Sequence, residues 1–215
     1  MVTTLLFRHL SRGFLLSAII FLTDPHGICG QNIQSPQNGG SIRNGFTIKP
    51  DAVLIRYNRM IFGQFIEHFH RQIYGGIFDP GSKLSDSAGF RKDVIEALRE
   101  LKIPIVRWPG GCFVSSYHWL EGVGRNRIPT YDKAWKVEEP NTFGTDEYIA
   151  WCHLIGTEPY ICTNAGTGTP EEMSDWVEYC NLNIGKYGKM RQDNGHKDPY
   201  NQMAWRMFCI IISLA

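Results

Sequence analysis

Three polar residues stand where short apolar runs end. Glu67 follows Met60-Ile-Phe-Gly-Gln-Phe-Ile, Arg107 follows Ile103-Pro-Ile-Val, and Asn164 closes Glu158-Pro-Tyr-Ile-Cys-Thr. If these runs are neighbouring parallel strands, a carboxylate, a guanidinium and an amide converge at the carboxyl edge of one sheet. Ligand sites of barrels and open sheets collect at that edge. With aromatic neighbours the cluster suits a polyol; a structural Glu67–Arg107 ion pair at the sheet edge is the competing reading. Arg107 leads into Trp108-Pro-Gly-Gly111, where a proline without an N–H and paired glycines end any strand.

Two other patterns carry less. In Glu67-His68-Phe69-His70, alternate residues of a strand share a face, and His is a common zinc or iron ligand. No third ligand cluster accompanies the pair, so no metal is expected. Asn164-Ala-Gly-Thr-Gly-Thr lacks the glycine spacing and the Lys-Ser/Thr of a phosphate loop, and reads as a turn feeding a helix. No cofactor is expected.

The elements that must position these residues alternate. Ala52–Tyr57 and Met60–His68 read as strands. Phe90, Val94, Ile95, Leu98 and Leu101 recur at helical spacing, and Pro104 pushes Ile103 into a strand. Residues 120–144 read as one long loop. Thr145 is expected to cap a helix carrying Tyr148, Ile149, Cys152 and Ile155, which Gly156 ends. Thr169-Pro-Glu-Glu172 reads as a capping box with proline in the first turn, ahead of a stripe of Met173, Trp176, Val177 and Cys180. Residues 185–201 are polar and glycine-rich; Trp205–Ala215 is an apolar tail. Strand, helix and strand in repetition mean an α/β fold with a parallel sheet, as part of a (β/α)8 barrel or as a doubly wound sheet.

Composition sets outer limits. The 215 residues suit one domain with an appendage, at 43% hydrophobic and 20% charged. A formal charge of +1 makes no electrostatic case for nucleic acid. None of the six cysteines forms a Cys-x-x-Cys pair, and free thiols are favoured over disulfides. Arg8, His9 and Arg12 precede the apolar run 13–22, too short to span a bilayer but suited to a signal peptide. Secretion is therefore expected, with a cytoplasmic location as the alternative. Residues 1–30 read as targeting segment, 31–48 as linker, 49–205 as the main domain and 206–215 as a divergent tail.

Several blocks then converge. Gly63-Gln-Phe-Ile-Glu67-His68, Ile73-Tyr-Gly-Gly-Ile77, Gly89–Leu98, Arg107-Trp-Pro-Gly-Gly-Cys-Phe-Val-Ser115, Phe143-Gly-Thr-Asp-Glu147 and Asn164–Glu172 resemble the α-L-arabinofuranosidases of glycoside hydrolase family 51. Trp176–Asn181, Asn194-Gly-His196 and Pro199-Tyr-Asn201 continue the match across about residues 50–205.

The resemblance implies a retaining exo-glycosidase on a (β/α)8 TIM barrel, incomplete here, whose N-terminal strand joins a β-sandwich. Its substrates would be arabinose-containing oligo- or polysaccharides such as arabinan and arabinoxylan, placing it in L-arabinose metabolism. A homo-oligomer is compatible with a full-length member. Such enzymes use two carboxylates about 5 Å apart, one as acid/base and one as nucleophile. By resemblance, Glu67 binds sugar hydroxyls, Cys112 lines the same subsite, Trp135 walls the sugar, and Arg107 supports the nucleophile. After Trp205 the resemblance breaks: Arg206-Met-Phe-Cys-Ile210 stands where the family carries Gly-Leu-Gly-Asn-Glu, which puts Ile210 at the acid/base position. The expectation is thus an amino-terminal part lacking the catalytic glutamates, and the alternative is an inactive sugar-binding or regulatory fragment.

Overall fold

A computed structural model describes residues 56–201, Ala134 excepted. The targeting segment, the linker, most of the Ala52–Tyr57 strand, the apolar tail, Cys29 and Cys209 lie outside the described residues. Of that first strand only Arg56 and Tyr57 are described, and both are irregular.

The scaffold is a three-stranded parallel sheet of β1 (Gln64–Phe65), β2 (Ile105–Trp108) and β5 (Glu158–Ile161), in the order β1-β2-β5. Phe65 pairs with Arg107, and Arg107 with Tyr160. The sheet is α/β and parallel, as expected. The Met60–His68 strand is shorter than expected: Arg59–Phe62 is a 3-10 turn, with the Asn58 side chain accepting the Met60 N–H at 2.9 Å. Beyond β1 the chain still follows its neighbour, through Ile66 N–H to the Arg107 carbonyl (2.8 Å) and His68 N–H to the Pro109 carbonyl (2.6 Å).

A short helix, α1 (His70–Ile73), follows β1, and α2 (Lys92–Leu101) leads into β2. α2 buries Ile95 and packs Val94 and Leu98 on the core, while Asp93 in its first turn pairs with Arg91 at 2.7 Å. An acid there complements the positive end of the helix dipole. Left-handed Lys102 and then Pro104 end it.

The region expected as one loop has structure of its own. Phe113–Ser116 and Trp119–Gly122 are 3-10 turns, and β3 (Thr130–Asp132) pairs antiparallel with β4 (Val137–Glu139). The run is too polar and its strands too short for alternation to reveal a hairpin. Helix α3 (Thr145–Ile155) is capped by Gly144 rather than Thr145: the Gly144 N–H donates to Glu147 at 2.8 Å. The Thr145 hydroxyl instead accepts the Trp176 indole N–H at 3.0 Å.

In α4 (Pro170–Asn181) Thr169 accepts the Glu172 N–H as expected, but the Glu172 carboxylate turns to His118 instead of closing the box. Tyr179, not Val177, completes the buried stripe with Trp176 and Cys180. Residues 185–201 contain a further helix, α5 (Gly185–Asp193), which apolar periodicity does not announce. Its buried Arg191 donates to the carbonyls of Tyr179, Leu182, His196 and Lys197 and to Asn183, at 2.7–3.4 Å. A cation at the carboxyl end of α4 meets the negative pole of that helix.

Trp108 centres the core, stacked on Tyr148 at 4.8 Å and edge-on to Tyr117, Phe143 and Trp176. Tyr148 also ties the sheet together, donating to the Val106 carbonyl and accepting the Tyr160 N–H. Among the described residues no helix is long and apolar enough to cross a membrane.

Candidate functional site

The site grows from the ends of β1 and β2. After the cis Trp108–Pro109 bond, Gly110 (φ +128°) turns the chain over Glu67: a Cβ there would stand 2.3 Å from the Glu67 Cγ and 2.9 Å from its Cα. Only glycine allows both that dihedral and that approach. The turn thereby brings the Cys112 and Phe113 N–H groups onto Glu67 Oε1, at 2.6 and 3.3 Å. These N–H groups open the Phe113–Ser116 turn, so one carboxylate oxygen caps it. Oε2 has no protein partner among the described residues. Half of the Glu67 carboxylate is thus fixed to backbone, and half has no partner among the described residues.

Glu67 and Cys112 therefore come together as expected, with the Cys112 side chain exposed. The competing reading, a Glu67–Arg107 ion pair, does not form among the described residues. The Arg107 guanidinium lies over the Phe65 ring at 5.1 Å, and its buried Nε has no hydrogen-bond partner there. Cys162, on the stretch just past β5, feels both charges: burial pushes its thiol up to about 11, Arg107 opposes the rise and Glu67 adds to it.

Asn164 does not converge on the cluster in the expected way. Its amide is consumed by its own turn, accepting the N–H groups of Gly166 and Thr167 at 3.0 Å and donating to the Tyr117 carbonyl and the Thr167 hydroxyl. It is a turn-former, buried to 4% exposure.

Trp135 projects from the β3–β4 hairpin, half-exposed, with its ring edge-on to Phe69 at 4.9 Å. The two rings border a cavity of about 250 Å³, which Phe113, Val137, His68 and Glu139 also line, with His70, Arg71, Gln72 and Asp132. Phe113 joins this cavity to Glu67, since its ring faces one and its N–H the other.

Behind the cavity lies a buried polar network that the spacing of the sequence does not reveal. His68 is not on a strand with His70, which begins α1, so the expected shared face is absent. Instead His68 stacks on Phe113 at 4.6 Å. Its Nδ1 lies 3.2 Å from the Trp108 indole, and its Nε2 lies 3.2 Å from Glu139. Indole N–H can only donate, so Nδ1 accepts and the imidazole proton stands on Nε2, directed at Glu139. Tyr74 and the Asn141 N–H also donate to Glu139. Burial works to raise the Glu139 carboxyl, but the bonds from His68, Tyr74 and Asn141 outweigh it and hold the group below its ordinary value. Burial, reinforced by Glu139, pushes the Tyr74 phenol up. Glu139 lies 71 positions after His68 in a stretch that reads as polar loop, so pattern could not join them.

The sequence model of the Alpha-L-arabinofuranosidase 1 domain family matches residues 97–207. Alpha-L-arabinofuranosidase C of Emericella nidulans is 50% identical over 166 residues, covering 76% of this chain and 33% of the relative. An intracellular exo-alpha-(1->5)-L-arabinofuranosidase of Acetivibrio thermocellus is 42% identical over 162 residues, covering 74% and 32%. Among solved structures, an arabinose complex of the Thermotoga maritima alpha-L-arabinofuranosidase is 51% identical, with a TM-score of 0.67 over 69% of this chain and 32% of that one. The chain thus spans about a third of the length of the relatives it matches.

Proposed function

Since the chain belongs to the α-L-arabinofuranosidase 1 domain family, we propose that its described part is the sugar-holding portion of an exo-acting α-L-arabinofuranosidase. In this reading the Glu67 Oε2 accepts hydroxyls of a terminal arabinofuranosyl residue. Cys112 borders the same subsite, Trp135 walls it, and Arg107 supports it from the adjoining strand. The substrates are arabinofuranosyl ends of arabino-oligosaccharides, arabinan or arabinoxylan, cleaved by the retaining route that two carboxylates provide. The three parallel strands are the opening strands of a (β/α)8 barrel, as the likeness to family 51 structures supports.

The observation that carries this reading is the half-satisfied Glu67 carboxylate, pinned by two backbone N–H groups with its second oxygen unused. A pinned acceptor needs no reorganisation on binding, which is what orients a polyol economically. Titration of the chain with methyl α-L-arabinofuranoside tests it. Glu67→Gln keeps the shape but replaces a charged acceptor, and is expected to weaken binding by about tenfold or more. Equal affinities would show Glu67 to be only a cap for the 113–116 turn.

A further inference from the structure

The cavity between Phe69 and Trp135 is poorly matched to a sugar. Its two buried polar lining residues are already saturated: His68 engages Trp108 and Glu139, and Glu139 takes His68, Tyr74 and the Asn141 N–H. A furanose ring placed against that inner wall would leave its hydroxyls unpaired, which is costly away from water. The remaining inner surface is the rings of Phe69, Phe113 and Trp135 with Val137. The other polar lining residues are His70, Arg71 and Gln72, all exposed, and Asp132, which is half-buried. At about 250 Å³ the space falls below the roughly 300–1,000 Å³ of drug-sized sites and suits a single ring with a short substituent. Rings meeting edge-on, as Phe69 and Trp135 do at 77°, offer a planar guest one face and one edge.

We infer that this cavity binds a planar aromatic group carried by the arabinofuranoside, beside the sugar that Glu67 holds. The aromatic group has two chemical sources: an aryl aglycone at the anomeric oxygen, or an aromatic acid esterified to a sugar hydroxyl. The inference rests on the proposed sugar reading only for the attachment of the ring to a sugar; the pocket's taste for aromatics stands apart from it.

The probe is methyl ferulate, a neutral planar ring with a short chain, titrated into the full chain by ligand-observed NMR. Saturable binding is expected, weakened about tenfold or more in Trp135→Ala and lost in Val137→Phe, which fills the space while keeping the Trp135 wall. Glu67→Gln is expected to leave methyl ferulate affinity unchanged, so failure of the sugar reading shows only with methyl α-L-arabinofuranoside. 4-Nitrophenyl α-L-arabinofuranoside and methyl 5-O-feruloyl-α-L-arabinofuranoside then separate the two sources: the one whose affinity falls in Val137→Phe carries the guest ring, since Trp135→Ala would weaken the sugar's own contacts as well. No saturable methyl ferulate binding to folded protein overturns the inference. So does equal binding by both variants, or competitive displacement by methyl α-L-arabinofuranoside, which would make the cavity the sugar's own seat.

Discussion

Gly110→Ala perturbs the site through one methyl group. The new Cβ would lie 2.3 Å from the Glu67 Cγ and 2.9 Å from its Cα. The side chain could swing away from the first contact, but the second is with backbone, so the 108–113 turn or the end of β1 must shift. A non-glycine residue at φ +128° adds strain of about 1–3 kcal/mol, and overpacking adds about 1–3 kcal/mol. The expected destabilisation is therefore about 2–6 kcal/mol, read as a lower urea midpoint at unchanged slope. If Glu67 is displaced, sugar affinity also loses a charge-assisted contact of about 1.5–3 kcal/mol, or about 10–150-fold in Kd. Gly81→Ala is the control, since Gly81 also has positive φ (+89°) but nothing within 4 Å of an added Cβ. It should show backbone strain with no change in sugar affinity. Gly110→Ala matching Gly81→Ala in both measurements would refute the close-approach reasoning.

Other consequences follow from the buried polar groups. Glu139→Gln should destabilise by about 1–3 kcal/mol at neutral pH, measured by urea unfolding, because it disturbs a buried acceptor with three donors. Glu139 is depressed in the folded state, so its stabilisation is fully present above the ordinary carboxylate pKa and fades as pH falls through the folded value. The stability gap between the wild-type chain and Glu139→Gln should therefore shrink as pH falls below the ordinary carboxylate pKa, and a gap independent of pH would contradict the network. Arg191→Met should cost at least about 3 kcal/mol by the same assay, since it strands several buried carbonyls that Arg191 now satisfies. Among the described cysteines, iodoacetamide should modify Cys112 first by mass spectrometry, because burial raises the thiols of Cys152, Cys162 and Cys180 while Cys112 is exposed.

The parallel scaffold was legible because it rests on contiguous signals: the apolar run into Trp108, the helical spacing from Phe90 to Leu101, and the Thr169-Pro170 cap. That Glu67 and Cys112 share one subsite was implied by the family resemblance, but the form of their contact was not legible. Sequence left an ion pair with Arg107 open as the alternative to a ligand site, whereas the carboxylate takes backbone N–H groups that are in place only once Gly110 has turned the chain. Asn164 was misread because an amide at a strand end looks the same whether it faces a ligand or its own turn. The β3–β4 hairpin and α5 escaped because neither has an apolar period; α5 is held by Arg191 and the hairpin by Asn141 bonded across it. The His68–Glu139 pair joins distant residues through tertiary structure alone.

The central claim is that the unused oxygen of Glu67 is a sugar acceptor. Its most direct test is a crystal structure of the chain soaked with L-arabinose or methyl α-L-arabinofuranoside. The account predicts a furanose hydroxyl within about 2.6–3.2 Å of Glu67 Oε2, with Oε1 still holding the Cys112 N–H. A sugar bound elsewhere while both Glu67 oxygens turn to protein groups would contradict it.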